Sequence, residues 1–119
     1  MKKQLNITPI RMIRIIKDLS MDEMAEYFMV TKAYISAIEK RERKFRIQTL
    51  KFGLDNMNIS LEDYYILEDF SNELLNEELS DRDKYKFMLI KTLGIVEPEA
   101  KDKTDELLDN LYYKNSKKK

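Results

Sequence analysis

Cysteine and histidine are both missing from this 119-residue chain. Without cysteine there is no disulfide framework, thiolate metal site or thiol nucleophile. Without histidine, the commonest general base and the commonest metal ligand are absent as well. Glycine and proline occur only twice each, which leaves little turn chemistry and argues for helices joined by short connections. No run of about 18 apolar residues is present, so no membrane span is expected. The start, MKKQLNITPIRM, is basic but lacks the apolar core and small-residue cleavage site of a signal peptide.

What remains is 43% hydrophobic and 37% charged, a mixture suited to a chain that buries a real core. Its length fits one compact domain, or one small domain with an appended helical piece. The 22 acidic residues sit in no recognisable catalytic constellation, so neither enzymatic activity nor a cofactor or metal is expected. The formal net charge is zero, yet residues 1–51 carry 12 Lys and Arg against 6 Asp and Glu. Residues 52–111 carry 6 against 16, and four lysines close the chain. A basic first half attracts phosphate and an acidic second half is repelled by it; the alternative is ordinary charge scatter on solvated helices.

Thr8 and Pro9 announce a first helix, Thr as N-cap and Pro at N1 where its missing N–H costs nothing. Ile10, Met12, Ile13 and Ile16 recur at helical spacing. Ser20-Met21-Asp22-Glu23 reads as a capping box opening a short second helix with Met24, Ala25 and Phe28 inward. After a turn at Met29-Val30, Thr31 caps a third helix running to about Lys40. Ile35 and Ile38 point inward, leaving Lys32, Ala33, Ser36, Ala37 and Lys40 on the outer side. The charged stretch KRERKFR (40–46) follows. Ile47, Leu50, Leu54 and Met57 mark a fourth helix, with Phe52 partly buried and Gly53 permitting a close helix contact. Ser60-Leu61-Glu62-Asp63 caps a fifth, carrying Leu61, Tyr64, Tyr65 and Leu67. Two short helices joined by a tight turn inside a helical cluster form the helix-turn-helix pattern, whose second helix enters the major groove.

The stretch LSMDEMAEYFMVTKAYISAIEKRERK (19–44) resembles the Cro/lambda-repressor-like, or XRE, family. That family's usual pattern is roughly L-S-Q-E-E-L-A-E-K-L-G-V-S-x-x-Y-I-S-x-I-E-x-G-x-R. The matching residues are Leu19, Ser20, Glu23, Ala25, Glu26, Val30, Thr31 (for Ser), Tyr34, Ile35, Ser36, Ile38, Glu39 and Arg43. TLKFGLDNMNISLEDYYIL (49–67) is similar to the family's fourth and fifth helices, so the resemblance covers about half the chain. Four departures stand out: Met21 for the Gln opening helix two, Met29 for the turn Gly, Glu42 for the Gly before the basic residue, and Phe45 for the Pro ahead of helix four. The resemblance implies a sequence-specific regulator binding double-stranded DNA, and an ion pair between Arg14 and Glu39 tying helix one to helix three.

Base contacts are expected from the outer face of helix three. Lys32 suits guanine O6/N7, Ser36 either base type, and Ala33 or Ala37 a thymine methyl. Phosphate contacts are expected from Thr31, Tyr34, Lys40, Arg41, Arg43 and Lys44, helped by helix N-terminal amides.

Beyond Leu67 the helical pattern continues through Phe70, Leu74, Leu75 and Leu79. Ser80 opens another helix that Gly94 would stop as C′ residue. Pro98 opens a last one, striped by Leu107, Leu108, Leu111 and Tyr112. The terminal residues 115–119 are expected to fray. The expected fold is all-α: a five-helix domain over residues 1–69, a helical extension over 70–114 and a disordered basic tail. The extension has three open roles: packing back on the core, forming a homodimer (favoured), or binding a partner protein. A cytoplasmic repressor of bacterial or phage type is the leading expectation, with an antitoxin or co-regulator as the alternative.

Overall fold

A computed structural model describes residues 5–113; the expected fraying tail at 115–119 and the side chain of Tyr112 lie outside what is described. Helices account for all the regular structure among these residues: α1 (Pro9–Ile16), α2 (Met21–Phe28), α3 (Lys32–Glu39), α4 (Ile47–Asn56), α5 (Leu61–Leu75), α6 (Asp81–Val96) and α7 (Thr104–Leu108). A 3₁₀ stretch, Pro98–Lys103, leads into α7, and one wider turn, Asp109–Tyr113, follows it.

The local signals act as written at most starts. Ser20 Oγ accepts from the Glu23 amide at 3.1 Å, and Glu23 Oε1 accepts from the Ser20 amide at 2.8 Å. Both bonds satisfy N–H groups that no helix carbonyl can reach. Thr31, Ser60 and Ser80 cap α3, α5 and α6 through their side-chain oxygens in the same manner. Thr8 occupies the N-cap of α1, but its hydroxyl makes no capping bond.

The helix ends are less ordinary. A left-handed residue closes each of α1 to α4, and none is glycine: Asp18, Met29, Arg41 and Asn58, with φ between 55° and 63°. Each is followed by a bond back across the last turn, as from the Val30 amide to the Ala25 carbonyl at 3.0 Å, the Schellman arrangement. Arg41 holds this conformation after α3, which corrects the placing of the family's glycine position at Glu42. Gly94, by contrast, lies inside α6 and has no positive φ. It does not stop the helix, which runs on to Val96 with Ile95 and Val96 packed against the core.

Ile10, Met12, Ile13, Met24, Phe28, Ile35, Leu54 and Leu67 fill the centre of the first five helices. Gly53 brings α4 against α2, because a Cβ there would overlap the Phe28 ring. Ile47 and Phe52 are each 45% exposed, so α4 buries a narrower stripe than its apolar spacing indicates.

The boundary expected between residues 69 and 70 falls inside α5, which continues unbroken to Leu75. From there the chain packs back. α6 lies on α1 and α5 and buries Met88, Leu89, Thr92 and Leu93, while Leu107 and Leu108 of α7 complete the same cluster. Burying one more Leu-sized side chain stabilises by about 1.5–3 kcal/mol, so these helices extend the core of the first five. Lys84 is nearly buried and donates to the Leu75 carbonyl at 3.3 Å, a cation at the negative end of α5. Glu97 links Lys17, at 3.9 Å, to Lys103, at 3.6 Å. No helix among the described residues is long and apolar enough to cross a membrane.

Candidate nucleic-acid interface

Helix α3 presents two different sides because Ile35 and Ile38 anchor it from below. Lys32 and Ala33 are exposed, whereas Ser36 and Ala37 are half-buried. The four expected base-contacting residues thus lie on one helix, with its N-terminal turn the most accessible part. Thr31 Oγ1 accepts from the Tyr34 amide at 3.1 Å, which fixes the entry to this helix and engages the Thr31 oxygen in capping.

Glu39 fixes the other end. Its carboxylate is buried and takes two bonds from Arg14, Nε to Oε2 at 2.6 Å and Nη2 to Oε1 at 3.1 Å. Arg14 also donates to the Leu19 carbonyl at 3.2 Å, and Arg11 Nε stands 4.0 Å from Glu39 Oε1. A planar guanidinium gripping a carboxylate with two parallel bonds restricts rotation as well as distance. The pair therefore holds α3 at a set angle to α1.

Residues 40–46 are held by aromatic rings. Phe45 stacks on Phe28 with centroids 5.0 Å apart and lies 5.7 Å from the Tyr34 ring. The Tyr34 hydroxyl oxygen accepts from the Arg46 amide at 3.2 Å, and the Arg43 guanidinium sits 4.2 Å over the Tyr34 ring. That hydroxyl keeps its own proton to donate. Lys40, Arg43, Lys44 and Arg46 remain exposed along this segment.

Arg41 is placed differently from the phosphate-contacting role expected of it. Its left-handed backbone turns the side chain inward, where Nη2 donates to Ser71 Oγ at 2.6 Å and Nη1 to Asn72 Oδ1 at 3.4 Å. Burial pulls this guanidinium below its ordinary value, with Glu68 and then Tyr64 opposing the shift. It stays charged at neutral pH, since arginine is not deprotonated in proteins. The neighbouring Tyr64 hydroxyl is pushed up chiefly by burial and secondarily by Glu68.

Sequence reasoning overlooked Phe45 and Arg46. Phe45 registered only as a missing proline, although one aromatic residue within a run of cations is a signal for an apolar anchor. Arg46 stood inside the charged run without a role. Among the described residues, no group of three or more carboxylates converges as a metal site would require.

The family model described as helix-turn-helix matches residues 10–64. No curated protein and no solved structure matches the chain.

Proposed function

We propose that this chain, whose residues 10–64 belong to the Cro/lambda-repressor-like (XRE) family of helix-turn-helix DNA-binding transcription regulators, represses transcription as a homodimer reading double-stranded DNA with α3. The observation that carries this reading is the accessible face of α3 beside an exposed, ring-anchored run of cations. Lys32 reads guanine, Ser36 either base type, and Ala33 and Ala37 meet thymine methyl groups. Lys40, Arg43 and Lys44 lie against phosphates, with Tyr34 donating its hydroxyl proton and Thr31 at the helix entry. Arg41 is left out of this set because its guanidinium is engaged by α5. Two alanines make a sparse reader, so DNA shape contributes to specificity.

Dimerisation suits a module this small, since two copies meet half-sites roughly 34 Å apart and gain avidity. Phe87 and Ile90, one turn apart on α6 and 40% and 47% exposed, support an outward apolar contact by the C-terminal helices. The same residues favour the second reading, an antitoxin or co-regulator that holds a partner protein there. A cytoplasmic, bacterial or phage setting goes with either.

The test is selection of bound duplexes from a random pool, run for wild type and a Lys32→Ala/Ser36→Ala variant at two salt concentrations. Wild type is expected to enrich a palindrome that the variant loses. No enrichment, or the same enrichment by the variant, overturns the α3 contact set and moves weight to the partner reading.

A further inference from the structure

Two polar side-chain atoms are shut off from water without a hydrogen-bond partner among the described residues, Thr8 Oγ1 and Arg41 Nε. Both residues line one cleft of about 470 Å³ between the start of α1, the segment after α3, and α5. Buried polar groups nearly always find partners, and one left alone costs about 1–3 kcal/mol. Both atoms are closed to solvent, so a ligand in the cleft reaches them only if the wall beside them moves.

The remaining lining defines the ligand. Arg43 and Lys44 join Arg41 as cations, and Glu68 is the one carboxylate on the walls. Three positive groups against one negative group favour an anion. Between them the walls are apolar and aromatic, with Phe45, Tyr64 and Tyr65. The volume falls within the range of small-molecule sites, which combine apolar walls with a few convergent polar groups.

We propose that this cleft binds a small organic anion, a carboxylate or phosphate group carried on an aromatic or other apolar body. The anionic group is drawn by the charges of Arg41, Arg43 and Lys44, and a bond to Thr8 Oγ1 or Arg41 Nε needs the wall beside them to open. The apolar body lies against the tyrosine rings. This site goes beyond the DNA reading and does not need it. One corollary does rest on that reading: Arg43 and Lys44 would be shared with DNA phosphate, so a bound anion weakens DNA binding, and by linkage DNA weakens the anion equally.

The full chain, free of DNA, is titrated with phenyl phosphate, inorganic phosphate and benzyl alcohol while amide NMR shifts are followed. Phenyl phosphate is expected to saturate with shifts centred on Thr8, Arg41 and Tyr64, at least about tenfold more tightly than either half-molecule. Arg41→Gly keeps a residue suited to the left-handed backbone and should weaken binding by about tenfold or more. Glu68→Gln removes the opposing charge and should tighten it severalfold, an outcome that a damaged fold would not produce. No saturation by about 10 mM, equal binding of inorganic phosphate, or variants indistinguishable from wild type overturns the proposal. A separate competition against the selected duplex reads the corollary: phenyl phosphate should displace wild type, and no displacement would remove the inhibitory role alone.

Discussion

Replacing Glu39 with methionine tests whether the pair with Arg14 holds α3 in place. The Glu39 side chain is 3% exposed and that of Arg14 is 16% exposed, so the pair is desolvated more fully on the carboxylate side. Removing one partner of a buried pair costs about 3–5 kcal/mol, because the other charge is left without compensation. Glu39→Met should fall near the low end, about 3 kcal/mol, since Arg14 keeps the Leu19 carbonyl and some contact with water. Arg14→Met should cost more, about 4 kcal/mol, since it leaves a buried carboxylate with only Arg11, 4.0 Å away. The Arg14→Met/Glu39→Met double variant removes both charges and should lie within about 1 kcal/mol of wild type. Urea and thermal melts followed by circular dichroism measure all four corners of the cycle. At about 4 °C per kcal/mol for a domain of this size, Glu39→Met lowers Tm by about 12 °C. A single-variant cost below about 1 kcal/mol, or a double-variant cost equal to the sum of the singles, would refute the argument.

Three further outcomes follow from the geometry. Gly53→Ala gains about 1 kcal/mol of helix propensity but drives a methyl into the Phe28 ring, so a net loss of about 1–2 kcal/mol is expected in urea midpoints. Adding Phe28→Leu to it should recover part of that loss, and a stabilised Gly53→Ala would show that the ring yields freely. The buried Tyr64 holds its proton more tightly in the folded chain; the unfolded chain therefore releases it first, and stability present below about pH 10 declines as pH rises further. Tyr64→Phe should make that alkaline decline shallower by up to about 1.4 kcal/mol per pH unit, and an unchanged slope would place the titration elsewhere. If Arg43 and Lys44 each neutralise a phosphate, Arg43→Gln/Lys44→Gln lowers the slope of log affinity against log salt by about 1.8. Fluorescence anisotropy on the selected duplex reads this, and an unaltered slope removes both residues from the interface.

The first five helices were legible because their signals are local. Thr8-Pro9, the Ser20–Glu23 box and the caps at Thr31 and Ser60 each specify a helix start within four residues. The ordered apolar positions between them fix which faces turn inward. Gly94 misled because glycine stops a helix only when its backbone goes left-handed, and packing of Ile95 and Val96 outweighs that local preference. The return of α6 onto α1 was one of three open readings, since an apolar stripe does not identify what covers it. At the site, exposure of Lys32 and Ala33 followed from helical spacing. The inward course of Arg41 did not, because it depends on a backbone sign and on Ser71 thirty residues away. The cleft was invisible in sequence for the same reason, being assembled from three distant segments.

The use of side-chain-bearing residues at the left-handed helix ends separates two kinds of position. Glycine would relieve backbone strain of about 1 kcal/mol at either Met29 or Arg41. Met29 is 76% exposed, so selection for stability should accept glycine there. At Arg41 the same exchange would delete the guanidinium that joins the turn after α3 to α5. Selection for thermal tolerance should therefore take glycine readily at position 29 but not at position 41, where the bonds to Ser71 and Asn72 would be lost.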